Sequence, residues 1–194
     1  MIPTLIDLHV RAGADALDLN SLREAAGAQG LDGLLLLGSD AAPSLGESGD
    51  GNGVQLFVGA EIDTDIGRLL CVPAATDDWF QGRGWAELRA DEAAPYPAEA
   101  IAAAFGERGG AVIVAQPFDR DLDHEALEDR FVGTPGLHAV VVTSSARHTT
   151  SNERAVTSAR EAGLGIVGGS AAAPGNERFG GVATVFAEPP TDQA

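Results

Sequence analysis

The chain has 194 residues with 12 basic and 29 acidic side chains, which gives a formal charge of −17. A chain of this size usually buries a single core, and a field this negative repels nucleic-acid phosphates and anionic lipid headgroups. All the basic residues are scattered arginines, so lysine chemistry is excluded and we expect no nucleic acid and no membrane as a partner.

The beginning of the chain does not indicate export. The apolar run at residues 5–10 is too short to cross a bilayer, and no basic segment of a signal peptide precedes it. The single cysteine, Cys71, lies in an apolar stretch and is predicted to be a small buried side chain. We therefore expect a cytoplasmic protein.

The first 40 residues predict the start of a parallel α/β fold. A strand at residues 5–10, a helix at 19–28 and a strand at 34–37 follow one another, with Asn20 or Ser21 as the helix N-cap. This order is typical of a right-handed βαβ unit.

Two apolar runs after a polar loop predict a hairpin. They cover residues 54–61 and 66–72, and the intervening Asp63-Thr64-Asp65 has the composition of a turn.

Three large aromatic residues follow in a polar, irregular stretch: Trp79, Phe80 and Trp85. Large aromatic side chains are enriched in the centres of protein interfaces. We expect these rings to cover either an end of the fold or a partner surface, and as an exposed group they are the candidate surface for contact with another protein.

Strands and helices alternate over the second half of the chain. In chain order we predict a helix at 97–108, a strand at 111–115, a helix at 124–131, a strand at 137–143, a helix at 152–162, and strands at 165–169 and 182–186. This alternation indicates a parallel α/β sheet, either open or closed into a barrel. Residues 1–187 are predicted to form one domain, followed by a frayed tail at 188–194.

Polar residues at the carboxyl ends of parallel strands are the first candidates for function, because the loops there vary while the sheet holds them. At these positions the sequence has Asp7, His9, Arg11, Asp40, Glu61, Gln116, Arg147 and His148.

The order of short motifs resembles the PHP family, named for its polymerase and histidinol-phosphatase members. The motifs are Asp7-Leu8-His9-Val10-Arg11, Leu37-Gly38-Ser39-Asp40, Gly59-Ala60-Glu61, Val114-Ala115-Gln116-Pro117 and Gly169-Ser170-Ala171-Ala172-Ala173. This resemblance spans nearly the whole chain. It implies an α/β fold, a distorted seven-stranded (β/α) barrel, whose strand ends carry divalent metals that hydrolyse phosphate esters.

Most of the metal ligands that the resemblance implies are replaced. Residues of other types stand at the ligand positions, namely Arg11, Ser39, Gln116, Ala171 and Ala173. His9 and Glu61 remain as ligands, and Asp15 is a candidate for a third. Asp7, Asp40 and Gln116 are interpreted as the mouth of a vestigial site.

Two retained ligands do not suffice for a metal cluster, because a catalytic metal takes about three protein ligands and two-metal sites also need bridging carboxylates. The guanidinium of Arg11 repels cations and does not become a ligand at any ordinary pH. We hypothesise that Arg11 replaces a lost metal electrostatically by pairing with Glu61 or Asp40.

Three functions are open at this point. A barrel without metals and without another cofactor predicts a non-catalytic structural or interaction subunit, whose partner is another protein or a second copy of the chain. A phosphoesterase with a reduced site would hold one Mn, Zn or Fe ion at the two retained ligands and Asp15. A metal-free pocket would bind a small anion through Arg11, Arg147 and His148.

Overall fold

Helices cover a sheet of eight strands in the part of the chain that the structure, a computed structural model, describes. These residues are 3–12, 18–43, 53–115, 117–118, 131–143, 149–172 and 181–187. The strands are β1 (Thr4–Arg11), β2 (Gly33–Ser39), β3 (Gln55–Thr64), β4 (Gly67–Val72), β5 (Ala111–Ala115), β6 (Ala139–Thr143), β7 (Gly165–Gly168) and β8 (Thr184–Phe186). The helices are α1 (Leu19–Ala28), α2 (Asp78–Gln81), α3 (Ala98–Gly106) and α4 (Thr149–Glu161), with a 3-10 helix at Ala86–Leu88.

The sheet has the order β7-β6-β5-β4-β3-β2-β1-β8 and nearly closes on itself. Its parallel pairs are β1 with β2, β2 with β3, β5 with β6 and β6 with β7, whereas β4 and β8 run antiparallel to their neighbours. The hydroxyl of Thr184 on β8 accepts from the amide of Gly168 on β7 and donates to its carbonyl, both at 2.9 Å. The predicted barrel-like α/β fold is confirmed, but the described residues form eight strands where the resemblance implies seven.

The predicted hairpin is confirmed, but its turn lies further along the chain than expected. β3 and β4 pair antiparallel, with Thr64 opposite Gly67 and a two-residue turn between them. Gly67 has φ +102°, a conformation that a side chain would strain. This register places Asp63 opposite Arg68.

The predicted helices differ from the structure mainly at their ends. α1 has the predicted bounds, but its N-cap is Asp18, whose carboxylate accepts from the amides of Asn20 and Ser21. Asp18 fits this role because its extended backbone lets the side chain reach the free amides of the first turn. α4 begins three residues before the predicted start. The predicted helix at 124–131 lies almost wholly outside the described residues, and the tail at 188–194 lies entirely outside them.

Alternating side chains of β2 pack into two different cores. Leu34 and Leu36 join a cluster with Leu19 and Ala26 of α1. Leu35 and Leu37 instead join side chains of β4, β5 and β6 on the other face of the sheet. This separation follows from the two-residue period of a strand, which sends successive side chains to opposite faces. Within the described residues no helix is long and apolar enough to cross a bilayer.

The expectation that Trp79, Phe80 and Trp85 form an exposed contact surface is wrong. Phe80 and Trp85 are fully buried and Trp79 is half-buried, and all three rings pack around Phe105 of α3. The guanidinium of Arg108 covers the outer face of Trp79 at 4.1 Å. Short helical turns in this stretch place its aromatic side chains against the sheet, so the polar sequence around them does not indicate exposure.

Candidate functional site

Two site residues, the fully buried His9 and the partly exposed Arg11, lie on β1 near the carboxyl end of the sheet. His9 has no exposed surface, while the Arg11 side chain is 34% exposed. The pairing of β1 with β2 shifts register between Asp7 and Val10, and such an irregularity re-aims the side chains around it.

Asp7 and Gly169 fasten β1 to the end of β7. One carboxylate oxygen of Asp7, Oδ1, accepts from the amides of Ser170 at 2.8 Å and His9 at 3.2 Å. A Cβ on Gly169 would lie 2.6 Å from Cβ of His9, so only glycine permits this approach. Asp7 therefore has a structural role at the site.

Glu61 on β3 is the centre of the site. Its side chain is only 6% exposed. Arg11 donates hydrogen bonds to both of its carboxylate oxygens: Nε donates to Oε2 and Nη2 donates to Oε1, each at 2.9 Å. Nη1 of Arg68 is 3.2 Å from Oε1, and Nε2 of His9 is 3.4 Å from the same oxygen without hydrogen-bond geometry. Such bidentate, charge-assisted contacts are among the strongest that a carboxylate makes.

These neighbours keep Glu61 ionised at neutral pH. Burial by itself raises the pKa of the carboxyl group, but the contact with His9 and the guanidinium of Arg11 outweigh it and hold the pKa at about 2. The site is thus a buried carboxylate with two arginines against it.

Arg68 belongs to this site and was not among the predicted site residues. Its Nε donates to Asp63 at 2.7 Å while its Nη1 reaches Glu61. The signal in the sequence was the hairpin: Glu61 and Asp63 share one face of β3, and an antiparallel partner places an arginine beside them.

Asp40 does not face Glu61, contrary to its assignment to the vestigial mouth. Its backbone has φ +48°, which turns the residue away after β2. Its carboxylate contacts four side chains of the segment after β4, namely Arg83, Trp85, Arg89 and Tyr96. Asp40 therefore anchors that segment to the sheet, and only its amide reaches the site, donating to the carbonyl of Glu61 at 2.8 Å.

A cavity of about 220 Å³ opens beside Glu61. Arg11, Arg68 and Ser39 contribute polar groups to its wall, and Leu37 and Ala12 contribute apolar surface. Asp63 lies at its rim, with a side chain that is 72% exposed.

The described residues do not fit the divalent metals that the resemblance implies. Arg11 already occupies both oxygens of Glu61, and two guanidiniums beside one carboxylate make the surroundings unfavourable for a cation. In the part of the chain that the structure covers, no three His, Cys, Asp or Glu side chains are grouped to hold a metal ion. Four of the predicted site residues lie outside the described residues: Asp15, Gln116, Arg147 and His148.

No protein-family model matches the sequence, and neither does any curated protein. Among solved structures, a candidate metal-dependent phosphoesterase from Bifidobacterium adolescentis is similar, with TM-score 0.62, 18% identity and 92% of each chain covered. An amidohydrolase from Chromobacterium violaceum, with bound SO4 and no metal, gives TM-score 0.66 and 14% identity over 95% of this chain and 92% of that one.

A two-domain protein from Bacteroides vulgatus, which contains a predicted PHP-like metal-dependent phosphoesterase, gives TM-score 0.53 and 14% identity. The match covers 89% of this chain and 53% of that one. At these identities the likeness concerns the fold. Over most of its length, the chain has the fold of PHP-like metal-dependent phosphoesterases and amidohydrolases.

Proposed function

We propose that this chain is a PHP-like barrel in which arginines have taken the place of the metal cluster, and that it acts as a non-catalytic structural or protein-interaction subunit. The single observation that carries the proposal is the bidentate contact of Arg11 with Glu61. It uses the carboxylate oxygens that a metal ion would need. The charge of Arg11 also offsets the buried carboxylate, as a cation would.

The role of Arg68 supports the same proposal. Two positive side chains contact Glu61, and His9 supplies only a neutral or positive neighbour. A divalent cation placed here would have to displace a guanidinium that is held by two hydrogen bonds. Loss of a metal ligand alone would not explain why a second arginine, Arg68, contacts Glu61. A site without a metal is stabilised by it, because Arg68 adds positive charge beside the buried carboxylate.

The interaction role needs a surface other than the buried aromatic residues. Among the described residues, the large apolar side chains that remain exposed are Val132, Ile166 and Val185. Ile166 and Val185 lie on β7 and β8, the two strands that end the sheet order. We expect purified protein to have a mass of two chains or more in light scattering, or to be recovered together with a partner protein.

One observation favours a second candidate, a phosphoesterase with a single metal at a reduced site. Both ring nitrogens of His9 are buried, and neither makes a hydrogen bond within the described residues. A buried imidazole in this state is a ready ligand if the region around Asp15 supplies another donor.

Metal content and turnover separate the two candidates. We expect purified protein to hold far less than one Mn, Zn or Fe per chain, and to show no added hydrolysis of p-nitrophenyl phosphate when each metal is supplied. EDTA should leave the Tm unchanged. Stoichiometric metal together with turnover that His9→Ala abolishes would overturn our proposal and establish the phosphoesterase.

A further inference from the structure

We propose that the cavity lined by Arg11, Arg68 and Ser39 binds a small phosphate-type oxyanion without a metal ion. The inference rests on the proposed function, because it requires arginines rather than metal ions to face the ligand. It goes beyond that function by assigning a ligand to the cavity beside Glu61.

Each arginine keeps a donor group for a ligand. Arg11 uses Nε and Nη2 for Glu61, and Arg68 uses Nη1 for Glu61 and Nε for Asp63. Nη1 of Arg11 and Nη2 of Arg68 donate to no acceptor within the described residues. The two side chains are 34% and 39% exposed, so solvent and small solutes reach them.

The lining of this cavity is electrically balanced although the whole chain is acidic. Arg11 and Arg68 carry two positive charges, and Glu61 and Asp63 carry two negative charges. Water screens the contact of Arg68 with Asp63, because both side chains reach solvent. What favours an anion is therefore the remaining Nη group of each arginine, since planar guanidiniums suit the oxygens of a phosphate.

The size of the cavity selects a small ligand. At about 220 Å³ it is below the range of roughly 300–1,000 Å³ that is typical of sites for drug-sized molecules. Inorganic phosphate, or the phosphate group of a monoester whose remainder stays outside, matches this volume and the two guanidiniums. Ser39 also lines the cavity, and serine is a residue type whose hydroxyl can donate to an oxyanion.

Asp63 makes the proposal sharply testable, because it competes with the ligand for Arg68. Inorganic phosphate is titrated into the full chain by calorimetry, in EDTA and at constant ionic strength. We expect saturable binding by the natural protein, about tenfold weaker binding by Arg68→Gln, and several-fold tighter binding by Asp63→Asn, in which Nε of Arg68 is released. Arg160→Gln, a change of an exposed arginine on α4, should bind like the natural protein.

Opposite effects of the Arg68 and Asp63 substitutions cannot both come from a folding defect. Competition by phenyl phosphate would identify monoesters as ligands, and failure to compete would restrict the site to free phosphate; either result retains the oxyanion site. Absence of saturable phosphate binding, or equal binding by Arg68→Gln, overturns the inference. If binding fails while metal content and turnover stay negative, the inference falls and the proposed function stands; stoichiometric metal with turnover removes the proposed function itself.

Discussion

Arg11 and Glu61 lie 50 positions apart in the chain, yet Nε and Nη2 of the arginine hold the two carboxylate oxygens at 2.9 Å. The contact crosses β2, because β1 and β3 are its neighbours on either side. It therefore ties three parallel strands together at their carboxyl ends.

The first prediction concerns the free energy of this contact. Arg11→Met should lower the free energy of unfolding by about 1–2 kcal/mol, because it leaves a buried carboxylate with fewer partners while the partly exposed arginine limits the loss. The double variant Arg11→Met/Glu61→Gln removes both charges. It should cost about 1 kcal/mol less than the sum of the two single variants. Urea unfolding of the natural protein, Arg11→Met, Glu61→Gln and the double variant gives the four free energies of unfolding that this comparison needs.

Arg160→Met provides the matched control, since this arginine is exposed on α4 and is remote from β3 in the chain. It should change the free energy of unfolding by less than about 0.5 kcal/mol. Strictly additive Arg11 and Glu61 substitutions would show that the contact contributes no coupling.

The second prediction concerns how the stability of the folded chain falls at acidic pH when Glu61 is protonated. The pKa of Glu61 is lowered to about 2 in the folded chain, while in the unfolded chain it lies near its ordinary value of about 4.3. A lowered pKa contributes stability above the unfolded value, and this contribution is lost as the pH falls toward 2. The loss should amount to roughly 3 kcal/mol at most.

The difference in unfolding free energy between the natural protein and Glu61→Gln isolates this contribution from other carboxyl groups. Measured by urea unfolding, the difference should change steeply between about pH 4.5 and 2, where the carboxyl group of Glu61 becomes protonated. A difference that is flat over the acid range contradicts the lowered pKa.

The third prediction tests Asp40 as an anchor. Asp40→Asn retains a residue type that tolerates a positive φ, but it removes the negative charge between Arg83 and Arg89. We expect a loss of about 1–2 kcal/mol and faster opening of the segment after β4. Trypsin should then cut sooner after these two arginines, as mass spectrometry of the fragments would show. Asp91→Asn, in the same segment, is the control, and equal cleavage in both variants would disprove the anchoring role.

Apolar runs were sufficient to predict most of the fold. The strands at 34–37 and 111–115 were predicted because continuous aliphatic stretches bounded by glycine or polar residues leave little alternative to a buried strand. The pairing of Arg11 with Glu61 or Asp40 was hypothesised from the family resemblance together with charge, because the resemblance implies a metal ligand at position 11 and carboxylates around it; the structure shows the contact with Glu61.

Asp40 and Arg68 could not be placed in the same way. Asp40 turns away from the site through a positive φ, and its partners come from a segment more than 40 residues away, which no local pattern indicates. Predicting that Arg68 lies at the site required the correct register of the hairpin. The turn was predicted at Asp63-Thr64-Asp65, whereas in the structure Thr64 pairs with Gly67 and the turn consists of residues 65 and 66. A register error of this kind changes which side chains face each other.

The fourth prediction follows from the buried aromatic cluster. Trp85→Ala should cost about 3–5 kcal/mol, because the ring is fully buried against Phe80 and Phe105. It should leave the molecular mass in light scattering unchanged, since Trp85 is not on the surface. Trp85→Phe keeps most of the packing and loses the bond from the indole to Asp40, so its cost should be smaller. A change of mass with little loss of stability would restore the contact-surface interpretation.

The fifth prediction concerns the close approach of β7 to β1. Gly169→Ala would place a Cβ 2.6 Å from Cβ of His9 and 2.8 Å from its amide nitrogen, and backbone atoms cannot move aside as a flexible side chain could. We expect a loss of about 2 kcal/mol or more. Gly106→Ala is the matched control, because nothing lies within 4 Å of its added Cβ and alanine favours the helix by up to about 1 kcal/mol. Urea unfolding should therefore shift in opposite directions for the two alanine variants. A neutral Gly169→Ala would mean that β1 and β7 do not approach as closely as the fold requires.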